Sequence, residues 1–255
     1  NPLRGTIRGI SVFVIEGIND LKTLSDVIGG ELFSNNEPFT GITTDSREEV
    51  NGAVYLALRG ESFDGDIFCK DAIDNGSIAV ITDNPETLGR FILVKDTYDS
   101  LLKIASHHHK QINPRTIAIT GSNGKTSVKE MMGKILDSDK TVITKSNENN
   151  QFGIPYTILR CKSSTENLVL ECGARHDGDF KKIAEHFEFD QLVITNINNS
   201  HVGIFGSVKN IIRTKLELIK AVKDSGKIIE AAFKDLSKNR ELSSKKNEIK
   251  LYDVN

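Results

Sequence analysis

The sequence predicts an α/β protein built on a mostly parallel sheet. Three observations carry that expectation. Short apolar runs alternate with stretches of helical spacing along most of the chain, the pattern left by strand–helix–strand crossovers. One of those runs, residues 116–119, leads through a glycine-bearing turn straight into a helical stretch. The 255 residues carry 38% hydrophobic and 27% charged side chains, which suits a globular chain able to bury roughly 70–75% of its unfolded surface without disulfides or a structural metal.

In chain order, residues 10–15 form an apolar run closed by Glu16 and read as a strand inside an N-terminal extension, residues 1–20. The run is shorter than a signal-peptide core and no small-residue cleavage pattern follows it. Leu21 to Ile28 has helical spacing and Gly29-Gly30 as its stop signal. Residues 53–58 read as a strand closed by Arg59-Gly60, residues 68–74 as a helix stopped by Asn75-Gly76, and residues 78–81 as the next strand. Residues 98–111 are helical and lead to Asn113-Pro114, which divides a domain at 21–112 from a second at 113–255. Charge changes sign there. Residues 1–112 hold ten basic and seventeen acidic side chains, a charge of −7, whereas residues 113–255 carry +5, within an overall −2.

The second part repeats the alternation more regularly. Strands are expected at 116–119, 141–143, 168–170, 192–194 and 228–229, with helices at 127–136, 179–186 and 208–222. The Lys- and Ser-rich tail, 234–250, reads as a frayed helix with a weak strand. No apolar run approaches the ~20 residues of a membrane span. Cys69, Cys161 and Cys172 are too few and too scattered for a disulfide framework or a zinc site, so a reducing cytoplasm is expected. His107-His108-His109 cannot chelate one ion together, because consecutive helix residues point in different directions.

The strand at 116–119 is followed by Thr120-Gly121-Ser122-Asn123-Gly124-Lys125-Thr126-Ser127 and then a helix. A tight turn at a helix N-terminus gathers backbone N–H groups around an anion. Lys125 adds a cation for the outer phosphates, and the Thr126 hydroxyl is placed to ligate Mg²⁺. ATP or GTP binding follows. No Asn-Lys-x-Asp base reader appears at Thr195-Asn196-Ile197-Asn198, which argues against a GTPase. The strand at 168–170 ends in Glu171-Cys172-Gly173, so Glu171 falls on the same sheet edge as the loop, within reach of a nucleotide-bound metal. The strand at 192–194 runs toward His201, which the same reasoning brings to that edge.

In this order the motifs resemble the Mur ligase family, which makes the peptide bonds of the bacterial cell-wall precursor. The segments are Thr43-Thr44-Asp45-Ser46-Arg47, Gly60-Glu61-Ser62-Phe63-Asp64-Gly65, the phosphate loop, and Asn147-Glu148-Asn149-Asn150-Gln151-Phe152-Gly153-Ile154-Pro155. They continue through Glu171-Cys172-Gly173, Thr195-Asn196-Ile197 with His201, and Phe205-Gly206-Ser207 leading to Lys215. The resemblance covers about residues 21–230. It implies an ATP-dependent ligase that phosphorylates the carboxylate of a UDP-N-acetylmuramoyl-tripeptide and passes the acyl group to D-alanyl-D-alanine.

By that resemblance Gly121, Ser122, Asn123, Gly124, Lys125, Thr126 and Ser127 hold ATP, and Asn150 or its neighbour Asn149 contacts the phosphates. Thr126 and Glu171 ligate one Mg²⁺ and His201 a second, with Lys215 carbamylated by CO₂ into an anionic ligand. Lys125, Glu171, His201 and Lys215 form the catalytic group. Thr44, Asp45, Ser46, Arg47, Glu61, Ser62, Phe63, Asp64 and Gly65 bind the UDP-sugar, Arg47 as a bidentate diphosphate partner. The implied protein is a monomer of the bacterial cytoplasm that neither enters membranes nor binds nucleic acid, and the −7 first domain would repel phosphate backbones. Three domains are implied, of which this chain would hold the first and most of the second, so little ligase activity is expected of it alone.

Three positions depart from the family pattern. Asp66 stands where His is usual after Asp-Gly, His201-Val202-Gly203 replaces His-Leu-Glu, and Glu230-Ala231-Ala232-Phe233 lacks an Asn-Ala-Asp turn. Other readings remain open: a related ligase adding the third residue, a folylpolyglutamate synthase relative, a non-catalytic nucleotide-binding module, or a nucleic-acid-dependent ATPase.

Overall fold

The computed structural model describes residues 12–47, 49–60, 63–146, 148–174, 178–196, 208–231 and 248–252, with the backbone alone at 208, 209, 230, 231 and 248–252. The chain divides into two units, Asn1–Gln111 and Ile112–Asn255.

The first unit begins with helix α1 (Leu21–Ile28). The Asp20 carboxylate accepts the Thr23 N–H at 2.9 Å and caps it. Gly29 ends it in the left-handed conformation, and Leu21, Leu24 and Ile28 form its buried stripe. Strands β1 (Glu31–Phe33), β2 (Ile42–Thr43) and β3 (Val54–Leu56) follow, then a hairpin of β4 (Arg59–Gly60) and β5 (Phe63–Asp64). Helix α2 (Cys69–Asp74), strands β6 (Ala79–Thr82) and β7 (Phe91–Leu93), and helix α3 (Thr97–Ile112) complete the order. The sheet runs β1-β7-β6-β3-β2 and is parallel except for β1 against β7. Every residue of β3 and β6 is buried, as central parallel strands require. Since β2 and β3 are parallel neighbours, the segment Thr44 to Arg47 and the β4–β5 hairpin leave the same sheet edge.

The second unit holds a six-stranded, all-parallel sheet of β8 (Arg115–Thr120), β9 (Thr141–Ile143), β10 (Asn167–Glu171), β11 (Phe189–Ile194), β12 (Val222–Ala231) and β13 (Glu248–Tyr252). Its order is β13-β12-β11-β8-β10-β9. Helices α4 (Lys125–Ile135), α5 (Gly153–Leu159), α6 (Lys181–His186) and α7 (Val208–Leu216) connect the strands. Ile117 and Ile119 of β8, Val169 of β10 and Val193 of β11 share a cluster with Val128 and Met132 of α4. That packing sets the helix that follows the phosphate loop against the sheet. From β8 the chain first builds β9 and β10 on one side, then crosses to β11 on the other. The C-terminal ends of β10 and β11 therefore flank that of β8, with Glu171 level with Ile119 and Ile194 level with Thr120. A reversal of this kind opens a crevice at the strand ends.

Two expectations need correction. The run at 10–15, where described, makes a single bridge between Phe13 and Ile42 rather than a strand. Val14 is 70% exposed, and Gly17, at φ 77°, turns the chain away. The helix expected over 208–222 stops at Leu216, continues as a 3₁₀ turn over Glu217–Ala221, and yields Val222 to β12. Val222 pairs with Phe189, so sheet registry overrides the helical spacing. The segment 232–247, most of the expected tail, lies outside the described residues, and β13 follows it. Among the described residues no helix is long and apolar enough to cross a membrane. Cys69, Cys161 and Cys172 form no disulfide with one another, and burial pushes each thiol up to about 12.

Candidate functional site

The loop between β8 and α4 is held from the neighbouring strand end. The Thr195 N–H donates to Thr120 O at 2.9 Å and the Ser122 N–H to Asn196 O at 2.8 Å. The Asn123 N–H donates to Asn196 Oδ1 at 2.9 Å, and the Thr195 hydroxyl returns a bond to Asn123 O at 2.6 Å. Gly121 has φ 148°, and a Cβ there would lie 2.0 Å from Thr195 Oγ1, so only glycine lets the loop sit this close. Gly124, left-handed at φ 81°, turns the chain into α4.

Two lysines end on one carbonyl. Lys125 Nζ donates to Gly121 O at 2.9 Å, and Lys215 Nζ, carried on α7, donates to the same oxygen at 3.1 Å. Lys215 is 6% exposed, not a solvated helix lysine. Burial, then the charge of Lys125, pull its amine down to about 8. Burial lowers Lys125 as well, against the opposing pull of Glu171. Two enclosed ammonium groups resting on neutral carbonyls form a site that an anion would relieve.

Beside them the Glu171 carboxylate is 1% exposed. Its Oε1 accepts from the Thr126 hydroxyl at 3.0 Å and from Asn149 Nδ2 at 2.8 Å, while its buried Oε2 accepts no hydrogen bond from the described residues. The Thr126 hydroxyl and Glu171 Oε1, 3.0 Å apart, are hard oxygen donors set side by side, an arrangement that fits Mg²⁺. Among the described residues no cluster of three or more His, Cys, Asp or Glu side chains could hold an ion by itself, so phosphate oxygens and water would have to complete the shell.

The two asparagines separate. Asn149 reaches Glu171. Asn150 instead accepts the N–H groups of Phe152 and Gly153 at 3.0 and 2.9 Å and caps α5. His201 lies outside the described residues, as do Glu61 and Ser62. His108 Nδ1 accepts the Glu16 N–H at 3.0 Å, a packing role within the first unit.

In the first unit Arg47 forks onto Asp45, its Nε donating to Oδ1 at 2.8 Å and its Nη2 to Oδ2. That bonding holds the Asp45 carboxyl below its usual range. Ser46 is buried and its carbonyl accepts from Asn75 Nδ2 at 2.7 Å. Thr44 follows β2 at the same edge. Phe63 stacks on Phe68, and Asp64 takes the Asp66 N–H at 3.0 Å. Gly65 packs so closely that a Cβ would meet Leu58 O at 2.6 Å. Asp66, the departure from the family pattern, turns inward to Thr82 Oγ1 at 2.6 Å and Asn84 Nδ2 at 2.7 Å. Burial opposes its charge, yet the bonds from Thr82, Asn84 and Cys69 hold it below the ordinary carboxylate range. The position has a structural use here. Sequence reasoning gave no role to Thr195, Asn196 and Thr144, whose polar atoms brace the loop and the Glu171 N–H. Thr195 and Asn196 belong to the Thr195-Asn196-Ile197 segment that carries the family resemblance.

The description "Mur ligase middle domain" matches residues 119–255, and "Mur ligase family, catalytic domain" matches residues 38–140. The UDP-N-acetylmuramoyl-tripeptide–D-alanyl-D-alanine ligase of Bacillus subtilis is 34% identical over 227 residues, 86% of this chain and 50% of that protein. Its counterpart in Synechocystis is 37% identical over 184 residues, 70% of this chain and 40% of that one. Among solved structures, MurF from Acinetobacter baumannii superposes with a TM-score of 0.83 at 29% identity, covering 95% of this chain and 54% of that one. MurF ligase from Thermotoga maritima, in complex with ADP, gives 0.73 at 30% identity over 82% of this chain and 49% of that one. The chain spans about half the length of the curated relatives it matches. On these matches the chain belongs to the Mur ligase family, as a MurF-type member.

Proposed function

We propose that the chain provides the ATP-handling and UDP-sugar-holding parts of an ATP-dependent ligase that joins D-alanyl-D-alanine to UDP-N-acetylmuramoyl-tripeptide. The observation that carries this reading is the pairing of Lys125 and Lys215 on Gly121 O beside the Thr126–Glu171–Asn149 cluster. A carboxylate and a triphosphate repel, so bringing them together needs cations fixed beforehand: Lys125 and the bound metal ions, Lys215 being a cation only until it is carbamylated. The tripeptide carboxylate attacks the terminal phosphorus, ADP leaves, and an acyl phosphate forms. The dipeptide amine adds to the acyl carbon and phosphate departs from the tetrahedral intermediate. Lys125 holds charge developing on the transferred phosphoryl, and the loop N–H groups from Gly121 to Ser127 seat the remaining phosphates.

Thr126 and Glu171 would hold one Mg²⁺, and His201 with a carbamylated Lys215 a second; bound metal neutralises phosphate charge and orients the phosphoryl group. Carbamylation consumes a neutral amine and CO₂ and releases a proton, and the lowered pKa of Lys215 supplies that neutral form. Arg47 exchanges Asp45 for the ligand diphosphate, with Thr44, Ser46 and the loop from Glu61 to Gly65 along the uridine end. The work belongs to the bacterial cytoplasm, where such nucleotide-linked precursors are assembled.

The test is phosphate release from ATP by the whole protein bearing this sequence, with UDP-N-acetylmuramoyl-tripeptide and D-alanyl-D-alanine supplied separately and together. Turnover that needs both supports the reading. Hydrolysis indifferent to either, or an amino acid replacing the dipeptide, overturns it.

A further inference from the structure

We propose that Lys129 is a positioning residue for the metal-facing side of Glu171. Lys129 is 1% exposed and ranks among the largest fully buried side chains of the protein. An ammonium group that deep needs hydrogen-bond acceptors and counter-charge in compensation. Its Nζ donates to Thr144 O at 3.0 Å, meets Glu130 Oε1 at 2.8 Å, and lies 3.9 Å from Glu171 Oε2. The Glu130 side chain is 54% exposed and its charge is shared with water; that of Glu171 is 2% exposed. The enclosed counter-charge is therefore Glu171.

The helix dictates the arrangement. Lys129 follows Lys125 by four residues on α4, so the two stand one turn apart on the same face. Lys125 reaches Gly121 O in the loop while Lys129 reaches Thr144 O, just past the end of β9. Glu171 divides its oxygens accordingly, Oε1 taking both hydrogen bonds and Oε2 taking none and facing Lys129. At 3.9 Å the attraction is Coulombic rather than a hydrogen bond, and it draws Oε2 inward, leaving Oε1 turned toward Thr126. Thr144 couples the two partners, its carbonyl accepting from Lys129 and its hydroxyl accepting the Glu171 N–H at 3.0 Å.

This inference rests on Glu171 and Thr126 binding Mg²⁺, as proposed above, and the experiment distinguishes the failure of each. ADP affinity of the 255-residue chain is measured by calorimetry in Mg²⁺ and in excess EDTA, the ratio giving the metal-linked gain. Lys129→Met is expected to cut that gain about 10- to 100-fold, as loss of an outer-shell partner does, with the affinity in EDTA nearly unchanged. Glu171→Gln is expected to abolish the gain, and Lys129→Met to add nothing in that background. An equal loss with and without metal, or an additive double variant, assigns Lys129 a purely structural role and overturns the inference. A gain that survives Glu171→Gln overturns the metal reading and this inference with it. A gain lost in Glu171→Gln but intact in Lys129→Met overturns Lys129 alone. Should Lys129→Met fail to fold, the double variant removes both halves of the buried pair and is expected to fold; an unfolded double variant overturns the pairing.

Discussion

Lys125 and Lys215 share the Gly121 carbonyl, so each ammonium sits in the field of the other. Such strain is expected where a protein prepares for an anion, and it has a measurable sign. Burial and Lys125 lower the Lys215 pKa to about 8 from 10.5. Below pH 8 both folded and unfolded states hold the proton, and the folded state bears the full penalty. Between about 8 and 10.5 the unfolded chain binds more protons, so stability rises with pH. Lys215→Met is therefore expected to stabilise the chain by roughly 1–3 kcal/mol at pH 7 in bicarbonate-free buffer, a gain that shrinks toward pH 10. Urea midpoints at pH 7 and 9.5 check this; equal shifts at both would refute the lowered pKa. The same titration would govern the proposed carbamylation. At fixed CO₂ pressure, ¹³C-carbamate on Lys215 should increase from pH 7 to 8.5 and vanish in Lys215→Met.

Elements were legible where a local signal agreed with the tertiary packing. Gly29 stops α1 in the sequence and in the fold, and the order strand, glycine turn, helix announced β8, the phosphate loop and α4. Glu171 could be placed because β10 ends on it. Helix α5 was invisible because all seven of its residues are buried, which erases the periodicity of an amphipathic helix. Gly153 and Pro155 add no helical signal of their own, although proline in a first turn loses no hydrogen bond. Strands β1, β2 and β7 have two or three residues, too few for a period of two to show. Nothing local marks Lys129, because a lysine on a helix carries no sequence signal of burial. The capping of α5 separates the two asparagines experimentally. Asn150→Ala should destabilise the chain by about 1 kcal/mol through loss of a helix cap, seen as a lower melting temperature. Asn149→Ala should leave melting nearly unchanged and weaken ADP binding chiefly when Mg²⁺ is present.

At the scale of the whole molecule the charge is divided between the units, −7 before the junction and +5 after it. The basic second unit suits a triphosphate, but under the proposed function the acidic first unit has to hold a UDP-sugar, itself an anion. Long-range attraction cannot supply that affinity; local cations must. Arg47, the proposed diphosphate partner, stands on the edge where the β2 loop and the β4–β5 hairpin emerge. Asp45 keeps its guanidinium fork oriented, at the cost of a partner the ligand has to displace. Arg47→Ala should therefore weaken UDP-N-acetylmuramoyl-tripeptide binding by about 10- to 100-fold, the worth of a charge-assisted hydrogen bond, with ADP affinity unaffected. Gly121→Ala should do the reverse, because a Cβ would collide with Thr195 inside the phosphate loop. Calorimetric titration of both variants with both ligands checks the assignment. Loss of ADP affinity in Arg47→Ala, or unchanged UDP-sugar binding there, would remove Arg47 from the proposed site and leave the acidic unit without a recognised cation for the diphosphate.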